Sequence, residues 1–266
     1  MQNILSCTAL EDNYDISGNV NTVNTQKNIT EERMQELENF AQEYTFCINK
    51  DLSQIQRFEL LELLQEFKDV FARSLFEIKQ YPHYELELDL LSKQRAFRRQ
   101  FRLHPDHAKI AQNQIDEMAA AKIIEPSQSV EFNSPIFLVE KKDGSHIMVV
   151  DLRHINKLIA PKLVQLPKIN ELLDKVGSQG NNLFSVLDLL AGYFNIKLQE
   201  KSRSLTSFTA PNGLRWQFRC TPFGLSVSPS AMLTVLAGIF GGKLAPSSLS
   251  TYMDDLLLGD KSWGTM

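Results

Sequence analysis

Leu249-Ser250-Thr251-Tyr252-Met253-Asp254-Asp255-Leu256-Leu257-Leu258 is the stretch on which the reading of this 266-residue chain turns. Two short apolar runs, Leu249–Met253 and Leu256–Leu258, read as strands, with two consecutive aspartates between them. An isolated carboxylate is costly to desolvate, so acids flanked by apolar strands need a reason. Neighbouring side chains in a regular strand point to opposite faces, so Asp254 and Asp255 serve one site only at a tight hairpin turn. The short flanking strands permit one. A plain solvated turn also fits the spacing, because Asp is favoured in turns.

Further upstream, Phe184-Ser185-Val186-Leu187-Asp188 is another short apolar strand that ends in an acid. Asp188, Asp254 and Asp255 together have the composition of a site for two hard divalent cations. Adjacent carboxylates repel, and a bound Mg²⁺ relieves the repulsion. Two such ions about 3.5–4 Å apart can activate a hydroxyl and stabilise a departing pyrophosphate.

Pro135–Glu140 and His146–Asp151 read as a β-hairpin, with Lys141, Lys142 and the Asp143-Gly144 turn signal at its tip. Trp216–Cys220 is a further strand candidate, and a helix is expected from about Ser226 to Phe240. Another starts at Pro105, with Ala108, Ala111, Ile115, Met118 and Ala119 on its apolar face and Pro126 ending the segment. Tyr84–Leu88 alternates like a strand. A helix over Ser53–Phe71 opens on a Ser53/Gln56 capping box. Residues 1–50 are read as a tail or linker, 51–91 as an acidic helical lead-in, and 92–266 as the main domain. Within the tail, Asp15-Ile16-Ser17-Gly18 only approximates a D-[ST]-G protease loop, because an extra residue breaks it.

Charge divides the chain in the same way. Residues 1–91 hold 7 Lys/Arg against 17 Asp/Glu, and residues 92–266 hold 21 against 15, which hides behind the overall net charge of −4. The larger part is mildly basic, as a polyanion binder is. Arg98, Arg99 and Arg102, interleaved with Phe97 and Phe101, have the composition of a phosphate-backbone contact, although such a run is also an ordinary solvated face. A hydrophobic content of 43% excludes wholesale disorder. No apolar run reaches membrane-spanning length, so no membrane partner is expected. Cys7, Cys47 and Cys220 are odd in number and widely spaced, which gives neither a disulfide framework nor a zinc site.

The motifs occur in a telling order. Ser134–Ser145 resembles the fingers hairpin of reverse transcriptases, and Val150–Lys157 the segment after it. Leu187–Phe194 resembles the first catalytic-acid motif, Pro222–Ser230 the nucleotide-binding PFGL motif, and Tyr252-Met253-Asp254-Asp255 the YxDD motif. Residues 51–266 are thus similar to the polymerase of gypsy-class LTR retrotransposons, encoded in a Pol polyprotein. The resemblance implies an α+β right hand: fingers and a partial palm of small antiparallel sheet with helices on one side, thumb absent.

It further implies RNA-directed DNA polymerase activity, a nucleotidyl transfer to a primer 3′-hydroxyl, with Asp188, Asp254 and Asp255 as catalytic metal ligands for two Mg²⁺ (or Mn²⁺) ions. Asp254 is expected to bind more strongly than Asp255. Lys141, Tyr193, Phe223 and Gly224 match nucleotide-binding positions, with Lys141 on the triphosphate and Tyr193 excluding a 2′-hydroxyl. The implied partners are an RNA or DNA template with its primer, deoxynucleoside triphosphates and a possible polymerase subunit. The implied location is a cytoplasmic replication particle.

Two departures stand out. His146-Ile147 replaces the usual Trp-Arg, which removes a charged triphosphate clamp worth about 1.5–3 kcal/mol. Eleven residues follow Asp255, so the expectation is a fragment truncated soon after the YMDD motif, with an unpaired palm-strand edge. The alternative to an enzyme is an inactive fragment that binds nucleic acid or a full-length polymerase. An RNA-dependent RNA polymerase is a third reading, opposed by Tyr193 and the PFGL segment.

Overall fold

The structure, a computed structural model, describes residues 6–9, 29–162, 168–241 and 248–263. In chain order the first elements are β1 (Ser6–Ala9), α1 (Glu31–Glu43), α2 (Gln54–Glu66), β2 (Glu85–Leu86), β3 (Ala96–Phe97) and α3 (Pro105–Ala120). Next come β4 (Ile124–Pro126), β5 (Phe132–Asn133), β6 (Ile136–Glu140), β7 (His146–Val150), α4 (Arg153–Asn156) and α5 (Ile169–Ser178). The last are β8 (Leu183–Asp188), β9 (Lys197–Leu198), α6 (Glu200–Arg203), β10 (Phe208–Thr209), β11 (Arg215–Phe218), α7 (Ser228–Phe240), β12 (Leu249–Tyr252) and β13 (Asp255–Asp260). The architecture is α+β, with antiparallel pairing in its largest sheet. Two compact units divide the described residues: 6–9, 29–73, 168–190 and 248–263 form one, and 74–162 and 191–241 the other.

The first unit is built on a four-stranded sheet in the order β1-β8-β13-β12. β1 pairs with β8 from Ser6↔Val186 to Ala9↔Leu183. β1 therefore covers one edge of β8 from within the residues that the sequence reading placed as tail. An exposed row of backbone donors and acceptors invites such pairing. A helix, α1, also stands inside residues 1–50. Thr30 caps it by accepting from the Arg33 amide at 3.3 Å, and Glu31 and Glu32 face the positive end of the helix dipole. Met34, Leu37, Phe40 and Ala41 repeat at helical steps, a signal present in the sequence.

α2 has the expected capping box: Ser53 Oγ accepts from the Gln56 amide, and the Gln56 side chain accepts from the Ser53 amide at 3.0 Å. It stops at Glu66, where the sequence reading ran to Phe71, and a 3₁₀ turn over Lys68–Val70 follows. Leu37 and Ala41 of α1 bury against Phe58 and Leu61 of α2. Phe40 and Leu64 form a second cluster, onto which Tyr44, Phe46, Phe71 and, from β8, Leu187 pack. The two helices thus support the strand that ends in Asp188. Between the helices, half-buried Glu38 of α1 pairs with Arg57 of α2.

In the second unit, α3 presents Ala111, Ile115 and Met118 as its buried face. The helix ends at Ala120, and Pro126 instead closes strand β4, which pairs with β11 in the sheet β10-β11-β4. β6 and β7 form the expected hairpin, in register from Ile136↔Val150 to Glu140↔His146. β2 and β9 pair in parallel, as do β3 and β5. Among the described residues no helix is long and apolar enough to cross a membrane.

Candidate active site

β12 and β13 meet in a two-residue loop. Tyr252 pairs with Asp255, which leaves Met253 and Asp254 at the tip. Met253 holds φ 54°, the positive value that a primed hairpin turn requires at its first loop residue. A methionine there is strained, since L side chains rarely adopt this region. The pairing of β13 with β8 then places Asp255 opposite Asp188. Directly opposed residues of an antiparallel pair project from the same face, about 4.5–5.5 Å apart at Cβ. The amide of Leu189 donates to the Asp254 carbonyl at 3.3 Å and ties the loop to the end of β8. The fold therefore gathers three acids that are separated by 66 positions of chain.

Their electrostatics agree with that geometry. Partial loss of solvent raises the Asp188 carboxyl above the ordinary aspartate range, and Asp254 and then Asp255 raise it further. Asp255 is raised by the same desolvation and then by Asp254. Desolvation first and neighbouring carboxylates second thus favour the protonated forms of Asp188 and Asp255, and a bound cation would relieve the repulsion. The donors are carboxylate oxygens, the set preferred by hard divalent ions, so the residues fit such a group chemically. Among the described residues, no three His, Cys, Asp or Glu side chains already stand as a ligand set.

The other residues singled out in the sequence lie in the second unit. Lys141 closes the β6–β7 tip: its amide donates to the Ser145 carbonyl at 2.7 Å, and its carbonyl accepts from Gly144 at 3.0 Å. Gly144 takes φ 78°, which only glycine adopts freely. Asp143 accepts from the Ser145 hydroxyl at 2.6 Å and its amide at 2.9 Å, and these bonds lower its pKa. Lys141 is half-buried and Lys142 exposed.

Tyr193 lies in a 3₁₀ turn, Gly192–Asn195, entered through Ala191 at φ 46°. Its ring is buried, 9% exposed, and stands edge-on to Phe223 at 5.2 Å between centroids. Phe223 remains 39% exposed, so one face is open to solvent. Gly224 follows at φ 91°, and Asn156 holds this loop by donating to the Gly224 carbonyl at 2.8 Å and accepting from the Ser226 amide at 2.9 Å. Tyr193, Phe223 and Gly224 are thus one local assembly.

Arg98, Arg99 and Arg102 are exposed and make no carboxylate ion pair among the described residues, whereas Arg95 pairs with Glu131 at 3.5 Å. Phe101 beside them is 51% exposed, and Phe97 lies under the Arg215 guanidinium at 5.3 Å. The segment is anchored by its backbone: the Arg98 amide donates to the Asn133 carbonyl at 2.8 Å, and Asn133 Nδ2 donates to the Arg98 carbonyl at 2.6 Å.

Sequence reasoning missed the glutamine and asparagine side chains that hold these segments. It also quoted Asp151 without a task. Asp151 accepts two bonds at 2.8 Å from the exposed Arg153 guanidinium and one from the Arg153 amide. These bonds lower its pKa to about 2. A depressed folded-state pKa stabilises the fold above the unfolded value of 3.8, and that contribution is lost as pH falls through about 2. Asp151→Asn should therefore cost at most about 2 kcal/mol at neutral pH, after allowance for the exposed partner, and almost nothing below pH 2. Urea unfolding at several pH values checks this; a cost that does not shrink in acid would dismiss the ion pair as its source.

Comparisons with known proteins converge on one family. Residues 139–263 match the model of "Reverse transcriptase (RNA-dependent DNA polymerase)". The chain is 32% identical over 217 residues to the retrovirus-related Pol polyprotein from transposon 412 of Drosophila melanogaster, covering 79% of this chain and 17% of the relative. It is 30% identical over 218 residues to the transposon Tf2-3 polyprotein of Schizosaccharomyces pombe, covering 81% of this chain and 16% of the relative. The chain therefore spans a small part of the length of the curated relatives it matches. In fold it resembles the prototype foamy virus protease-reverse transcriptase, with TM-score 0.73 and 20% identity over 88% of this chain and 29% of that one. A foamy viral protease-reverse transcriptase in complex with an RNA/DNA hybrid gives TM-score 0.70 and 20% identity, covering 88% of this chain and 30% of that one. Residues 139–263, which carry all three aspartates, thus match the reverse transcriptase (RNA-dependent DNA polymerase) family, and these relatives of the chain are retrotransposon Pol polyproteins.

Proposed function

We propose that the chain extends a primer 3′-hydroxyl with deoxynucleotides on an RNA or DNA template, as the polymerase part of a gypsy-class Pol polyprotein. The observation that carries this reading is the pairing of Asp188 with Asp255 beside Asp254 at the hairpin tip. In this reading the four-stranded sheet is palm and the β6–β7 hairpin is fingers.

Asp188, Asp254 and Asp255 would hold two Mg²⁺ ions. Such ions, when bound, supply the charge that favours hydroxyl attack and pyrophosphate departure. The chain's own residues do the remainder. Lys141 meets the triphosphate as a mobile point charge. Tyr193, kept in place by Phe223, leaves no room for a 2′-hydroxyl and so selects deoxynucleotides. Gly224, without a side chain, lets backbone lie close to the nucleotide. Catalysis is then positioning and electrostatics, with no covalent enzyme intermediate. Primer extension on an RNA template with Mg²⁺ tests the proposal directly; soluble, folded chain that extends nothing would favour the binding-only alternative.

Template contact is assigned to Arg98, Arg99 and Arg102, supported by their exposure and by the lack of a carboxylate ion pair to any of them among the described residues. Replacing all three by Ala should weaken template–primer binding and reduce the slope of log affinity against log salt by about 2–3. Fluorescence anisotropy at several salt concentrations measures both, and an unchanged slope would remove this patch from the interface.

A further inference from the structure

A two-stranded hairpin is marginal by itself, because both of its outer edges expose unpaired backbone groups. In β6–β7 two glutamine side chains occupy those edges. Gln100 Oε1 accepts from the Ile136 amide at 2.6 Å, while its Nε2 donates to the Ile136 carbonyl at 2.9 Å. One side-chain amide thus satisfies both outward groups of one residue, as an antiparallel neighbour would. On β7, Gln114 Oε1 accepts from the Met148 amide at 2.8 Å, and its Nε2 donates to the His146 carbonyl at 2.7 Å. This amide straddles residue 147, as one residue of a parallel neighbouring strand would.

The two clamps act at different ends. Ile136 pairs with Val150 at the base of the hairpin, whereas His146 pairs with Glu140 next to the tip that carries Lys141. Gln114 projects from α3 beside buried Ala111, Ile115 and Met118, so it is rooted in a packed helix. It braces the backbone at Ile147, where the chain lacks the family's arginine clamp. Its orientation is fixed by its partners, since an amide donor needs Oε1 and a carbonyl needs Nε2.

We infer that Gln114 is a positioning residue for the incoming nucleotide: by serving as a surrogate strand at residues 146–148, it sets where the β6–β7 tip presents Lys141. This rests on the polymerase reading above. Gln100 performs the same backbone task at the base, away from the tip.

The test compares Gln114→Met and Gln100→Met, each isosteric and free of hydrogen-bonding capacity, in primer extension on poly(rA) with oligo(dT) and varied dTTP, alongside hydrogen exchange of the hairpin amides. Exchange is expected to quicken near Met148 in the first variant and near Ile136 in the second. Gln114→Met should raise KM for dTTP about tenfold with kcat within about twofold, and Gln100→Met should change KM less. Equal KM effects from both, or faster exchange at Met148 with unchanged KM, would reduce Gln114 to a structural clamp and overturn the inference. Wild-type protein that extends no primer would instead overturn the polymerase reading on which the inference stands.

Discussion

Asp188→Asn and Asp254→Asn should each lower primer extension by at least about 1,000-fold, and Asp188→Asn should leave the protein more stable at neutral pH. The two effects have one origin. Asp188 is raised above its ordinary pKa by desolvation and by the charges of Asp254 and Asp255. A carboxyl whose pKa is higher in the folded state favours folding when protonated. Its contribution is fully present below the unfolded value of 3.8 and is lost as pH rises through the raised value. At pH 7 the ionised group therefore opposes folding. An asparagine at 188 removes the charge and keeps the volume, so Tm should rise by about 1–2 °C, a small gain because solvent screens this exposed group. The gain should shrink as pH falls towards 4, because the raised Asp188 carboxyl is then increasingly protonated.

Mg²⁺ provides an independent reading of the same site. A cation that binds only the folded chain raises its Tm by mass action. Wild-type protein should gain stability with added Mg²⁺, and Asp188→Asn should gain less. Active Asn variants, or variants that lose stability at pH 7, would show that the cluster is a solvated turn, the alternative left open by the spacing of Asp254 and Asp255. Asp151 offers an internal contrast. Its pKa moves the opposite way, to about 2, because its neighbour is a guanidinium. Two aspartate-to-asparagine changes in one chain should thus shift stability at neutral pH in opposite directions.

How much of this was legible beforehand depends on the range of the interactions. The hairpin over residues 136–150 could be read because its turn chemistry is local: Asp143, Gly144 and Ser145 determine it without help from elsewhere. The capping box at Ser53 is local too. The tight turn at Asp254 could only be permitted by the sequence, since Met253 is no turn residue and takes positive φ only under the constraint of the sheet. The register that places Asp255 opposite Asp188 depends on strand pairing across 67 positions and had no local signal; the family resemblance stood in for it. Gln100, Gln114, Asn133 and Asn156 were invisible for a related reason. A polar residue on a half-exposed face looks the same whether it meets water or a distant backbone amide.

The helical periodicity before residue 50 was legible and was overlooked, and it supports the second large effect. Phe40→Ala should destabilise the protein by about 3–5 kcal/mol. Phe40 is 8% exposed and packs with Leu64, Tyr44 and Phe46, its ring 4.7 Å from that of Tyr44 and 5.7 Å from that of Phe46. Leu187 of β8 packs onto the same cluster. It directly precedes Asp188, and the next side chain on a strand points to the other face. The cluster therefore supports the opposite side of the strand from the acid. A cavity there should loosen β8 as well as α1, lowering Tm by about 10 °C and quickening amide exchange along β8. Gln42→Ala, at an exposed position of the same helix, should stay within about 0.5 kcal/mol. If Phe40→Ala also stays within that range, α1 is a mere appendage. If stability falls and β8 exchange quickens with it, the segment read from sequence as a tail is part of what holds the strand of Asp188 in place.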